Sequence, residues 1–183
     1  MSKIICIAGY KGRSLFPSKF IKWITWSEIT HVAPMFPDDD GIVYEAWSNE
    51  GVRMTRHLSD KHDAGTEVIV KYLKVTDQQL AIIKHALISQ LGKQYDWKGC
   101  FRFFPMARLI MSDHPSESEQ DKWFCSELTC WALGQAGIKL QDKSPYMTSP
   151  ADVMVSTALT FLTTHICGVS DYKEVIRRAR EVS

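Results

Sequence analysis

Pro37-Asp38-Asp39-Asp40-Gly41 is a strong turn signal between two apolar runs, and it commits this part of the chain to a β-hairpin. The run before it, Thr30 to Phe36, is apolar apart from Thr30 itself and one histidine, His31. The run after it, Ile42-Val43-Tyr44-Glu45-Ala46-Trp47, is β-branched and aromatic apart from one carboxylate and one alanine. With a loop over Phe36 to Asp40, Met35 pairs with Gly41 and paired residue numbers sum to 76. His31 is then opposite Glu45. Opposed side chains share a face with Cβ atoms about 5 Å apart, so the hairpin sets an imidazole beside a carboxylate. Alone, His31 reads as a satisfied core histidine and Glu45 as a solvent-facing residue or a partner of Arg53. Paired, they form a histidine held in one tautomer.

The remaining pattern is mixed. Ile4 to Ala8, Val52 to Thr55 and Val68 to Leu73 read as strands. Thr76-Asp77-Gln78-Gln79 is a capping box, followed by the stripe Leu80, Ile83, Leu87, Leu91 and then Gly92. Phe124, Leu128, Trp131 and Ala132 share a helix face, with Gly134 or Gly137 to end it. Ser149-Pro150-Ala151-Asp152 is a second cap signature, and Asp171 to Glu181 reads as a charged surface helix. Phe16, Phe20, Trp23 and Ile24 form another helical stripe, read as core packing or as a membrane- or substrate-facing surface. Strands come early and helices mostly late, so the expected class is α+β, as a single domain over residues 1–183.

A formal net charge of +1 argues against a nucleic-acid grip built on bulk charge. The apolar run at residues 4–8 is too short for a signal peptide, and the uncharged stretch at 153–169 is too rich in Ser and Thr for a bilayer span. The expectation is a cytoplasmic protein. The five cysteines are odd in number and lack Cys-x-x-Cys, so neither a disulfide framework nor a metal site is expected, and no cofactor. A thiol becomes a nucleophile only as thiolate. Cys6 lies in a strand, Cys100 beside aromatics, Cys130 in mid-helix and Cys167 after an uncharged run. Cys125 differs: it follows Trp123-Phe124 at the start of a helix, where unpaired amides favour an anion. Of the other histidines, His57, His62 and His114 fall in polar stretches, where solvation is the default. His85 reads as a surface or boundary position, and His165 lies in an unassigned segment.

Thr-His-Val-Ala at 30–33, Tyr-Glu-Ala at 44–46, Gly-x-x-Tyr-Asp at 92–96, Phe-Cys-Ser-Glu-Leu at 124–128 and Thr-Ser-Pro-Ala-Asp at 148–152 occur in that order. Together they resemble the circularly permuted branch of the NlpC-type papain-like superfamily, the YiiX-like proteins, with lecithin:retinol acyltransferase a more distant relative. The resemblance runs from about residue 4 to residue 155. It implies a permuted papain-like fold: a small antiparallel sheet against helices, with the nucleophile at a helix N-terminus. It implies a Cys125–His31–Glu45 triad, with Tyr95 and the Ser126 backbone N–H near the oxyanion. The activity it implies is hydrolysis or acyl transfer through a thioacyl-enzyme, on a small-molecule, peptide or lipid acyl substrate. A lipid enzyme at a membrane surface and a non-catalytic binding module are the alternatives. Membrane contact is not favoured, no nucleic-acid partner is expected, and the oligomeric state is open.

Overall fold

The computed structural model describes residues 2–12, 27–97 and 121–183. Ten-residue β1 (Ser2–Lys11) runs down the middle of the sheet. Its neighbours are β2 (Ile29–Phe36) and β5 (Glu67–Thr76), the latter a strand of alternating burial. β3 (Ile42–Trp47), β4 (Gly51–Thr55) and β8 (Thr160–Ile166) complete it in the order β4-β3-β2-β1-β5-β8. Every neighbouring pair is antiparallel. With four helices alongside among the described residues, the class is α+β.

Three of the four described helices begin where a side chain replaces a missing backbone partner. Thr76 caps α1 (Asp77–Ser89): its hydroxyl accepts from Gln79 N–H at 3.1 Å, and the Gln79 side chain accepts from Thr76 N–H at 3.0 Å. α1 stops short of Leu91, which is exposed, and Gly92 at φ 82° then turns the chain. The short β6 (Gln94–Tyr95) and β7 (Lys122–Trp123) pair in parallel and lead into α2 (Cys125–Gln135). Ser149 and Asp152 form the second capping box at α3 (Pro150–Met154), and Asp171 caps α4 (Tyr172–Glu181).

The sheet separates two cores. One face carries Ile5, Ile7, Val32, Phe36, Tyr44 and Ala46, packed with Leu80, Ile83 and Leu87 of α1 and Leu128 and Leu133 of α2. The other carries Ile4, Cys6, Ala8, Tyr10, Ala33, Met35 and Val43, packed with Leu58 and with Val175 and Ala179 of α4. Successive strand residues alternate between these faces.

The hairpin register differs from the expected one by two. Phe36 pairs with Ile42 and Met35 with Val43, so paired numbers sum to 78. Phe36 stays in the strand because its fully buried ring packs edge-on against Tyr44, 5.6 Å between centroids. The loop therefore starts at Pro37 and runs as a short 3-10 turn, with Asp40 and Gly41 at positive φ. A shift of two preserves the pleat, so His31 and Glu45 still share a face. Strand β8 fills part of the uncharged stretch at 153–169, to which the sequence assigns no element. The charged tail helix is also not purely a surface element, since it buries Val175, Ile176 and Ala179. Among the described residues, no helix is long and apolar enough to cross a membrane. The stripe at 16–24, together with Cys100 and His114, lies outside the described residues.

Candidate active site

Glu45 is the centre of a buried polar cluster. Its carboxylate has no exposed surface. Arg53 is directly opposite on β4, and its Nε donates to Oε1 at 2.8 Å, with Nη2 2.7 Å from the same oxygen. The other oxygen, Oε2, accepts from His31 Nε2 at 2.7 Å. True ladder pairing would set His31 opposite residue 47, so the contact with Glu45 is diagonal. It is made possible because the β2–β3 ladder holds only at Met35–Val43 and Phe36–Ile42. A bulge in β2 at Thr30 adds to this by re-aiming the strand beside His31.

The cluster has a consistent protonation state. Burial alone would raise the Glu45 carboxyl, but the hydrogen bond from His31 and the contact with His62 outweigh it and hold the pKa well below the usual carboxylate range. Burial pushes His31 below its ordinary value, overcoming the pull of Glu45 in the other direction. A neutral imidazole thus donates its Nε2 proton to an ionised carboxylate. That fixes the tautomer and leaves Nδ1 as the basic nitrogen.

His62 was expected to be solvated, and the structure corrects this. Its side chain is only 4% exposed, and Nε2 lies 3.2 Å from Glu45 Oε2. Its ring stacks on Tyr10 at 4.1 Å and meets Trp47 edge-on at 5.1 Å. Trp47 also meets His31 edge-on at 5.2 Å, and the Arg53 guanidinium lies 4.7 Å over the Trp47 ring. The sequence signal was weak, because His62 reaches the cluster from the loop between β4 and β5. Lys61, just before it, adopts a left-handed φ of 67°, a conformation costly for a side chain.

Cys125 is the first residue of α2, after the extended N-cap Phe124. The first intrahelical bond runs from Leu128 N–H to Phe124 C=O at 2.9 Å, so the amides of Cys125, Ser126 and Glu127 precede it. The thiol is buried in the core on the α1/α2 face. The Ser126 hydroxyl donates to the Thr148 carbonyl, which ties the start of α2 to the segment before α3. Tyr95 sits beside the same helix start, its ring 6.2 Å from Phe124 and edge-on to Trp97 at 5.2 Å. Glu127 is buried in the first turn of α2.

The structure therefore brings His31 to Glu45, and Tyr95 and Ser126 to the neighbourhood of Cys125. Pleat alternation directs His31 with Tyr10 toward the α4 face, whereas Cys125 packs with Val32-side residues on the other. A comparison of the chain with protein-family models returns no match, and a comparison with curated proteins returns none either.

Proposed function

We propose that this protein is a thiol-dependent hydrolase or acyltransferase in which Cys125 is the nucleophile, His31 the base and Glu45 the residue that orients it, on a permuted papain-like fold. The observation that carries the reading is the buried 2.7 Å bond from His31 Nε2 to Glu45, which commits one ring nitrogen and keeps the other basic. Nδ1 takes the thiol proton, and the thiolate attacks an amide, ester or thioester carbonyl. The Ser126 N–H and the Tyr95 phenol serve the developing oxyanion. His31 returns the proton to the leaving group, and water or another acceptor then releases the acyl group. The mechanism requires the thiol to meet Nδ1 at the end of the sheet where the β2–β3 ladder has stopped. The order of the five motifs supports the same reading.

A second reading, a binding module with an inert thiol, is favoured by the pleat position of His31 on the face away from α2. Iodoacetamide labelling with peptide mapping separates the two. Burial pushes the Cys6 and Cys130 thiols up to about 12 and raises Cys167, so these three should stay unmodified near neutral pH. Cys125 should label first of the four, and His31→Ala should slow it about ten-fold, since each unit between pH and thiol pKa is a decade of thiolate. Glu45→Gln should slow it less. An inert Cys125 in folded protein, or a rate indifferent to His31, would establish the binding-module reading instead.

A further inference from the structure

The thiol mechanism makes no use of His62, although the fold buries it against the one carboxylate that mechanism needs. One ligand-capable atom from each of His31, Glu45 and His62 lies within 4.8 Å of the other two. His62 Nε2 is buried and, among the described residues, makes no hydrogen bond, although Glu45 Oε2 lies 3.2 Å away. A ring nitrogen in that state costs stability unless something electrophilic meets its lone pair.

We propose that His31, Glu45 and His62 form a binding site for a zinc-class divalent cation, with Glu45 Oε2 and one ring nitrogen from each histidine as ligands. Two imidazoles and a carboxylate suit a borderline cation, and three protein ligands leave a position open. Ligands about 2.1 Å from a shared cation stand roughly 3–3.4 Å apart. The observed 2.7 and 3.2 Å separations from Oε2 are close to that. Binding replaces the hydrogen bond between His31 and Glu45: the ring changes tautomer, Nε2 giving its proton to solvent while Nδ1 takes one up, and the freed Nε2 lone pair goes to the cation. Charge permits this. Arg53 spans Glu45 and Glu50, at 2.6 Å to the latter, so these three side chains carry one net negative charge. Arg53 holds Oε1 and leaves Oε2 for the cation. Tyr10 and Trp47 wall the imidazoles into place. The ligand set has no sequence signature, since its members come from two strands and a loop, so the missing Cys-x-x-Cys said nothing about it.

The site shares His31 and Glu45 with the proposed dyad but does not need Cys125, so Cys125→Ala should bind the cation like the parent protein whatever becomes of the thiol reading. The probe is cobalt(II) alone, followed in the visible spectrum and then displaced by zinc(II). One equivalent should give saturable d–d bands, weakened at least about 10-fold in His62→Ala and unchanged in His85→Ala, where the histidine is exposed. No saturable binding, bands indifferent to His62, or thiolate charge-transfer bands would overturn the site. Should His62→Ala fail to fold, zinc-edge X-ray absorption of the parent complex decides. Two imidazoles in a nitrogen and oxygen shell support the proposal, and sulfur or fewer than two imidazoles overturns it.

Discussion

A buried imidazole with nothing to receive a second N–H makes native stability depend on pH. His165 is such a group: it is 1% exposed, Nε2 is 2.6 Å from Ser59 Oγ, and Nδ1 is buried without a hydrogen bond among the described residues. Burial, aided by His57, pushes its pKa below the ordinary 6.5. As pH falls below 6.5, the unfolded chain takes up a proton that the native state refuses, so stability complete above that value is lost below it. The melting midpoint should therefore fall between about pH 7 and 5, and fall less in His165→Gln. Equal slopes in the two proteins would show that His165 charges freely in the fold. The same scale explains which site residues were legible. Glu45 survived a wrong register because a pleat repeats every two residues and the error was two. Cys125 was legible because a helix start is a local feature. His62 was not, because its burial depends on where a loop folds back.

The elements hold together at close backbone contacts, and one of them makes a sharp test. Gly51 opens β4 at φ 72°, and a Cβ there would strike the Lys93 carbonyl. That approach ties β4 to the segment before β6: Val52 N–H donates to Lys93 C=O and Gly92 N–H to Val52 C=O, both at 2.8 Å. Gly92 has a similar φ of 82°, but a Cβ there would meet open space. Gly92→Ala should cost about 1 kcal/mol from backbone strain alone. Gly51→Ala adds a clash and should cost about 2–5 kcal/mol. Urea denaturation of both variants measures the difference, and equal losses would mean that β4 can move away from Lys93. Both capping boxes and the helix starts were readable, since a cap is settled within four residues. β8 was not: its burial alternates only in part, and its pairing with β5 is broken by an irregularity beside Val70.

At the scale of the whole molecule, the sheet is stable only when both faces are covered, and α4 covers one of them. It buries Val175, Ile176 and Ala179, and Arg180 Nη2 donates to the Pro37 carbonyl at 2.8 Å, seating the hairpin turn. Gly41 lies against Ile176, where a Cβ would collide. Burying a Val and an Ile contributes roughly 1.5–3 kcal/mol each, so removing residues 171–183 should lower the unfolding free energy by about 3–6 kcal/mol. The urea midpoint should drop accordingly, and an unchanged midpoint would show that the α4-side core stands without its helix. The amino-acid sequence by itself determined the hairpin, the caps, the shared face of His31 and Glu45 and the α+β class, because each follows from a period or a motif spanning a few residues. The tertiary structure alone decided that β8 closes one edge, that α4 seats the turn, that His62 joins Glu45, and that His31 and Cys125 belong to different faces of the sheet. Those outcomes depend on which side of the sheet each connection crosses, and neither a period of two nor one of 3.6 encodes the side.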